Sequence, residues 1–82
     1  MAKIVSALLI PWEPGKPGIA YELDDGYEGS VDGRFALTIP GLIEKLSPGD
    51  LREFEEQMSV NQYDGLLASL RKLTTHRKAP PR

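Results

Sequence analysis

The chain of 82 residues contains no cysteine and a single histidine, His76. Without thiols it cannot form disulfides, thiolate zinc sites, iron–sulfur clusters or a cysteine nucleophile. With one imidazole it cannot build a site that needs two histidines. The length allows one small domain, which must be held together by its hydrophobic core alone.

Long hydrophobic runs are also missing. The most apolar stretch, residues 1–10, contains Lys3 and is ended by Pro11. A membrane span needs about 18 such residues, and no small-residue cleavage site follows this stretch. We therefore expect a soluble, cytoplasmic protein with no membrane association, and the absence of cysteine fits a reducing compartment.

Charge is balanced in total but divided along the chain. Ten Lys and Arg residues against twelve Asp and Glu residues give a net charge of −2. Residues 1–70 carry a net charge of −7, whereas residues 71–82 carry five basic and no acidic groups. The chain is thus predicted to have an acidic body and a basic tail.

Strands are predicted in the first half of the chain. Residues 3–10 are apolar at odd and at even positions alike. This pattern is typical of a strand that is covered on both sides or of the start of a buried helix. Residues 11–18 hold three prolines and two glycines and are predicted to be irregular. Residues 19–24, 27–30 and 34–39 alternate in polarity, and the turns between them end in glycine.

The two turns, if each has three residues, set the register of a three-stranded meander. They place Glu22 opposite Glu28 in the first hairpin and Phe35 opposite Gly29 in the second. A shift by one residue is disfavoured because it would mix apolar and polar side chains on each face. In the predicted register one face carries Ile19, Tyr21, Leu23, Tyr27, Val31, Phe35, Leu37 and Ile39.

The second half of the chain has helical periodicity. A short helical turn is expected around Leu42, Ile43 and Leu46. Ser47 and Pro48 are typical of a helix start, and Asp50 at the third position is expected to reach back to the cap. Asn61 and Asp64 repeat this spacing and predict a second helix that ends near Thr74. The two apolar stripes are Leu51, Phe54 and Met58, followed by Tyr63, Leu66, Leu67, Leu70 and Leu73.

This order of elements predicts an α+β domain, because strands precede helices without βαβ alternation. We expect an antiparallel sheet of three to four strands, a meander, followed by a C-terminal helical hairpin packed on one sheet face. Residues 1–74 would form the single domain, and residues 75–82 a disordered basic tail.

Catalytic and cofactor sites are not predicted. His76 falls in the predicted tail, where nothing would orient it as a general base, and no serine lies in a Gly-x-Ser-x-Gly elbow. Glu22 and Glu28 as opposed strand neighbours are too close for an inverting glycosidase. The spacing that follows Asp24 fails the EF-hand pattern. We expect a protein that is not an enzyme and has no cofactor and no metal.

Trp12 lies among prolines at every third position, Pro11, Pro14 and Pro17. This spacing equals the repeat of polyproline II, so the prolines would line one edge of an extended helix beside the tryptophan. Such edges dock into partner proteins, and tryptophan is frequent among interface hot spots. The alternative is a stiff connection whose tryptophan caps the core.

Acidic residues cluster along the predicted meander, and directly opposed carboxylates disfavour folding. With Trp12 they form our predicted partner-binding surface, and the expected partner is another protein with a basic surface. Solvated turns that protect a sheet edge are the alternative. The acidic residues of this surface are Glu22, Asp24, Asp25, Glu28 and Asp32.

Two further interactions are open. The helical pair resembles a helix-turn-helix in outline, in which Asn61 and Gln62 would face adenine, although Asp64 would then face phosphate. A nucleic-acid-associated regulator would bind through Arg71, Lys72, Arg77, Lys78 and Arg82. A homodimer would form if residues 3–10 are an exposed edge strand.

Overall fold

The computed structural model describes residues 2–77, with side chains described for residues 2–73. Three antiparallel strands form one sheet in the order β1-β2-β3: β1 is Ile4–Glu13, β2 is Lys16–Leu23 and β3 is Glu28–Asp32. Two 3₁₀ helices follow, Gly33–Thr38 and Ile43–Lys45, and then the α-helices α1, Pro48–Val60, and α2, Asp64–Arg77. The predicted α+β class, with a three-stranded antiparallel sheet and helices packed against it, is confirmed.

The prediction of an irregular segment at residues 11–18 is wrong. β1 and β2 form a continuous hairpin around a turn at Pro14 and Gly15, in which Gly15 has a φ of 80°. Pro11 pairs with Pro17 across the hairpin. Proline is tolerated where no ladder donor is required: Pro11 lies in an edge strand, and Pro17 lies beyond Gly18, the last β2 residue paired with β3.

The hairpin of β2 and β3 has the predicted register. Ile19 pairs with Val31, and Glu22 pairs with Glu28. The connecting turn ends at Gly26, whose φ of 93° is one that glycine adopts without strain. Local turn chemistry and alternation were therefore sufficient to predict this hairpin.

The third predicted strand, residues 34–39, is instead a 3₁₀ helix. The Asp32 carboxylate accepts a hydrogen bond of 2.9 Å from the Arg34 amide and so caps a helical turn at this point. Ala36 is fully buried, whereas Phe35 is 53% exposed. Phe35 therefore does not pair with Gly29, and the rings of Tyr21 and Tyr27 lie against that glycine instead.

α1 begins as predicted but uses its third residue differently. The Ser47 hydroxyl accepts a hydrogen bond of 3.1 Å from the Asp50 amide, which confirms the N-cap. The Asp50 carboxylate does not return to the cap. It accepts a hydrogen bond of 3.1 Å from the Leu9 amide on β1 and thus joins the helix to the sheet edge.

α2 differs from the prediction at both ends. Asn61 does not begin it: this residue caps the C-terminus of α1, and its side-chain amide donates to the carbonyls of Gln57 at 2.8 Å and Gly15 at 2.9 Å. α2 continues to Arg77, beyond the predicted end near Thr74. Most of the predicted disordered tail, residues 78–82, lies outside the described residues.

The core lies between one face of the sheet and the helical elements. α1 contributes the stripe predicted for it, and α2 contributes Leu66, Leu67 and Leu70, whereas Leu73 of the predicted second stripe is 48% exposed. Phe54, Met58 and Leu70 are fully buried. Partly buried Ala7, Leu9 and Tyr21 pack against this cluster from the sheet. Its buried members are Ile19, Ala36, Leu42, Ile43, Leu46, Leu51, Phe54, Met58, Leu67 and Leu70. The opposite face of the sheet is left without a helical layer in the part of the chain that the structure describes.

A candidate protein-binding face on the outer side of the sheet

Alternate strand residues point away from the helices and form a surface that we call the outer face. Successive side chains of a strand point to opposite sides, and Ala7, Leu9, Ile19, Tyr21 and Val31 pack against the core. The intervening residues therefore lie on the other side. The outer face consists of Ser6, Leu8, Ile10, Trp12, Gly18, Ala20, Glu22, Glu28, Ser30 and the buried Asp32, which pairs with Gly18.

Cross-strand pairing arranges the outer face in rows. Leu8 pairs with Ala20, which pairs with Ser30. Ser6 pairs with Glu22, which pairs with Glu28. β1 thus contributes large apolar side chains, while the middle of β2 and β3 contributes small ones. The result is an open trough of about 560 Å³ whose lining includes Ile10, Leu8, Ala20, Ser30 and the two glutamates.

Trp12 lies beside this trough, on the outer face and outside the core. A Cβ atom placed on Gly18 would lie 2.9 Å from the Trp12 ring atom Cε3, so the indole covers the glycine. The tryptophan is 39% exposed. The predicted polyproline edge is not present, because Pro11 and Pro17 lie on opposite strands of one hairpin and Pro14 lies in its turn.

Four of the five predicted acidic residues lie at the other end of the outer face. Glu22 and Glu28 are directly opposed, and the adjoining turn carries exposed Asp24 and Asp25. Neither glutamate forms an ion pair with a described residue. Among the described residues near the start of β1 the one cation is Lys3, whose backbone carbonyl accepts a hydrogen bond of 2.8 Å from the Asp24 amide. This end is therefore markedly acidic.

Asp32 has a different environment from the other four. It is buried, and its carboxylate accepts hydrogen bonds from the Arg34 side chain at 2.9 and 3.2 Å as well as from the Arg34 amide. The side-chain hydrogen bond from Arg34 lowers the pKa of Asp32 below its ordinary value of 3.8, and burial opposes this shift only in part. Asp32 serves the fold at the start of the 3₁₀ helix.

Replacing Asp32 by asparagine is expected to lower the free energy of unfolding at pH 7 by about 1 kcal/mol. A carboxyl whose pKa is depressed in the folded state stabilises above its unfolded pKa, and this contribution disappears as the pH falls through the folded value. The difference between wild type and D32N should therefore shrink from pH 7 to about pH 2 in urea unfolding. D24N, which alters an exposed turn carboxylate, is the control. An equal D32N deficit at both pH values would contradict the assignment.

Of the five residues of the nucleic-acid hypothesis, the structure describes the side chains of Arg71 and Lys72 alone. Arg71 and Lys72 are exposed on α2, Arg77 is its last residue, and Lys78 and Arg82 lie outside the described residues. The Asn61 amide, predicted to face a base, donates to two backbone carbonyls instead.

β1 is an edge strand, as the homodimer hypothesis requires. Its outward hydrogen-bonding groups are partly used: the Leu9 amide donates to Asp50, and Pro11, two residues further along the same edge, has no amide proton. Natural proteins protect sheet edges with charges and prolines of this kind. Dimerisation stays a prediction, and light scattering of the purified protein would test it.

Comparisons with known proteins supply no function. A scan of protein-family models finds no match, and searches of curated proteins and of solved structures find no significant similarity. Among the described residues, no group of three His, Asp or Glu side chains is placed to hold a metal ion. Nor does any helix there have the length and apolar character to cross a membrane.

Reasoning from the sequence missed the apolar part of this face. Leu8, Ile10 and Ala20 were not predicted as contact residues, although Leu8 is 59% exposed. β1 is apolar at odd and at even positions alike. The periodicity of its sequence could therefore not indicate which side of the strand the helices would cover. The alternation of small and acidic residues on β2 was the available signal, since Ala20 and Glu22 share the side opposite Ile19 and Tyr21.

Proposed function

We propose that this chain is a small non-enzymatic protein-binding module, acting as an adaptor, regulator or inhibitor, whose outer face docks another protein. The observation that carries the proposal is an uncovered sheet face with a tryptophan and aliphatic side chains beside its trough and four carboxylates at its end. The partner would present an apolar strip bordered by basic residues. A cytoplasmic location belongs to the same proposal.

Apolar burial would supply the affinity. Leu8 and Trp12 are large hydrophobic side chains that remain substantially exposed on this face. Tryptophan is among the residue types whose removal from an interface most often costs about 2 kcal/mol or more. Trp12 itself has no partner in the β1–β2 register, but its neighbours Pro11 and Glu13 pair with Pro17 and Lys16. The backbone is therefore fixed on both sides of Trp12, and little of its freedom would be lost when a partner covers the indole.

The acidic residues would orient the partner on the outer face and increase its rate of association. Glu22, Glu28, Asp24 and Asp25 lie at one end of the face, so a basic partner would be steered to bind in one direction. Opposed glutamates oppose folding by a few tenths of a kcal/mol, which a cationic partner side chain would offset. The distribution of charge therefore favours a basic partner over an acidic one.

Replacing Trp12 by alanine is expected to raise the Kd for the partner by about thirtyfold, which corresponds to about 2 kcal/mol. The thermal midpoint should change little, because the indole lies outside the core and is 39% exposed. Affinity capture with the purified protein, in the presence of nuclease, would identify the partner, and calorimetry would give the Kd for wild type, W12A and L8S.

The matched control is V60S, since Val60 is 76% exposed on α1 and is absent from the outer face. It should bind like wild type. The proposal is wrong if W12A and L8S retain full affinity, if V60S weakens binding equally, or if capture is lost on nuclease treatment. A large drop in the thermal midpoint of W12A would assign Trp12 to folding.

A further inference from the structure

We infer that the partner contributes a basic amphipathic α-helix, which lies along β2 in the trough of the outer face with cationic side chains at Glu22 and Glu28. This inference rests on the proposed function and specifies its ligand. Three features support it: the state of the two sheet edges, the shape of the trough and the distribution of charge.

The sheet edges are poorly suited to adding a partner strand. Strand addition uses a row of unpaired backbone groups along an edge. On β1 the Leu9 amide is bound at 3.1 Å by the Asp50 carboxylate, and Pro11 offers no donor. β3 has only five residues and continues directly into the 3₁₀ helix at Gly33. A partner is therefore expected on the face of the sheet instead of at its margin.

The open trough and the adjoining part of the outer face offer the length that a short helix requires. Ala20 and Ser30 form its low centre, while Leu8 and Ile10 stand along β1. From Gly18, under Trp12, to Glu22 there are four strand residues, or about 13 Å. About nine residues of α-helix span that distance, enough for one apolar stripe at positions i, i+3, i+4 and i+7.

Charge favours a basic helix over a second copy of this chain. Residues 1–70 carry a net charge of −7, and the exposed side of α1 includes Glu53 and Glu56. Through its sheet face or α1, a second copy would bring acidic groups towards Glu22 and Glu28, and only its α2, with exposed Arg71 and Lys72, would bring cations. Lysine or arginine on a foreign helix would instead meet two carboxylates that have no ion-pair partner among the described residues.

Peptide binding can be followed by the fluorescence emission of Trp12, because it is the only tryptophan of the chain. The probes are three 14-residue peptides without tryptophan: a helical-period Leu/Lys peptide, a Leu/Lys peptide of the same composition in strict alternation, and a helical-period Leu/Glu peptide. We expect the helical Leu/Lys peptide to shift the Trp12 emission to the blue. The alternating peptide should bind about tenfold more weakly, and the Leu/Glu peptide should not bind.

Three variants locate the binding. A20R places a bulky cation in the trough and should raise the Kd about tenfold or more, while S69R, the same addition of charge on exposed α2, should change it less than about threefold. The double variant E22Q/E28Q should bind more weakly and with less salt dependence. It should also melt about 1–2 °C higher, because two opposed charges are removed.

The outcomes separate the inference from the proposed function. If the alternating peptide binds more tightly than the helical one and A20R weakens it, the helix inference is wrong and the outer face remains the docking surface. If A20R changes the binding of no peptide, both fail. Concentration-dependent Trp12 emission together with a dimer mass in light scattering would assign the face to a second copy and overturn the helix inference.

Discussion

Replacing Phe54 by alanine is expected to lower the free energy of unfolding by about 3–5 kcal/mol. Phe54 is fully buried at the centre of the core, where α1 packs between the sheet and α2. A domain of this size has a total stability of roughly 5 kcal/mol, so F54A should retain only about 0–2 kcal/mol and lie close to its unfolding transition at 25 °C. Circular dichroism with urea titration would measure the loss directly.

Phe35 is the matched control, because it is the only other phenylalanine of the chain. It is 53% exposed on the first 3₁₀ helix, with the Arg34 guanidinium carbon 5.5 Å from its ring centroid. F35A should therefore cost less than about 1 kcal/mol. Equal losses for F35A and F54A would mean that Phe35 is inside, as the alternating pattern of residues 34–39 predicts, and would contradict the 3₁₀ helix.

Replacing Gly33 by alanine is expected to cost about 1–3 kcal/mol, although a single methyl group is added. A Cβ atom at this position would lie 2.8 Å from the Pro17 carbonyl oxygen and 2.9 Å from Cε1 of Phe54. Neither neighbour can move easily, since one is strand backbone and the other a core ring. Urea unfolding of G33A would measure the cost.

Gly65 is the control for this substitution. It lies in the first turn of α2, and a Cβ atom there would meet nothing within 4 Å. G65A should stabilise the protein by up to about 1 kcal/mol, because alanine is the better helix former and restricts the unfolded chain. If G33A is as stable as wild type, the first 3₁₀ helix does not pack closely against Pro17 and Phe54.

Local patterns predicted those elements whose stabilising contacts are near in sequence. The β2–β3 register follows from a short turn and strict alternation, and Ser47 caps α1 through a hydrogen bond to a residue three positions away. Such contacts form within one turn or one hairpin. Their geometry is therefore readable from residue spacing alone.

The predictions from sequence failed where contacts between residues far apart in the chain determine the local structure. Prolines in residues 11–18 indicated a loop, but β1 is an edge strand and needs no donor from Pro11. Residues 34–39 alternate like a strand, but Gly33 fits closely between Pro17 and Phe54, and Asp32 caps the turn that follows. Asp50 and Asn61 resembled caps, and both instead bind backbone groups of the first hairpin, more than forty residues away.

The residues of the candidate site also divide into those predicted from the sequence and those placed by tertiary contacts. Trp12 and the acidic residues were identified from residue type and clustering, and four of the five acids do share one end of the sheet. Asp32 could not be separated from them, because its burial and its bonds to Arg34 depend on how the chain turns after β3. Leu8, Ile10 and Ala20 join the face through the pairing of β1 with β2.

Composition and spacing alone settled the absence of thiol chemistry and of paired imidazoles, the α+β class, the β2–β3 hairpin and the apolar stripes of the two helices except at Leu73, which is exposed. They left β1 undetermined, because its side chains are apolar on both sides. Packing resolved this ambiguity: the helices cover Ala7 and Leu9 and leave Leu8 exposed. One helical layer can cover only one side of a sheet, so an apolar side of β1 had to remain uncovered.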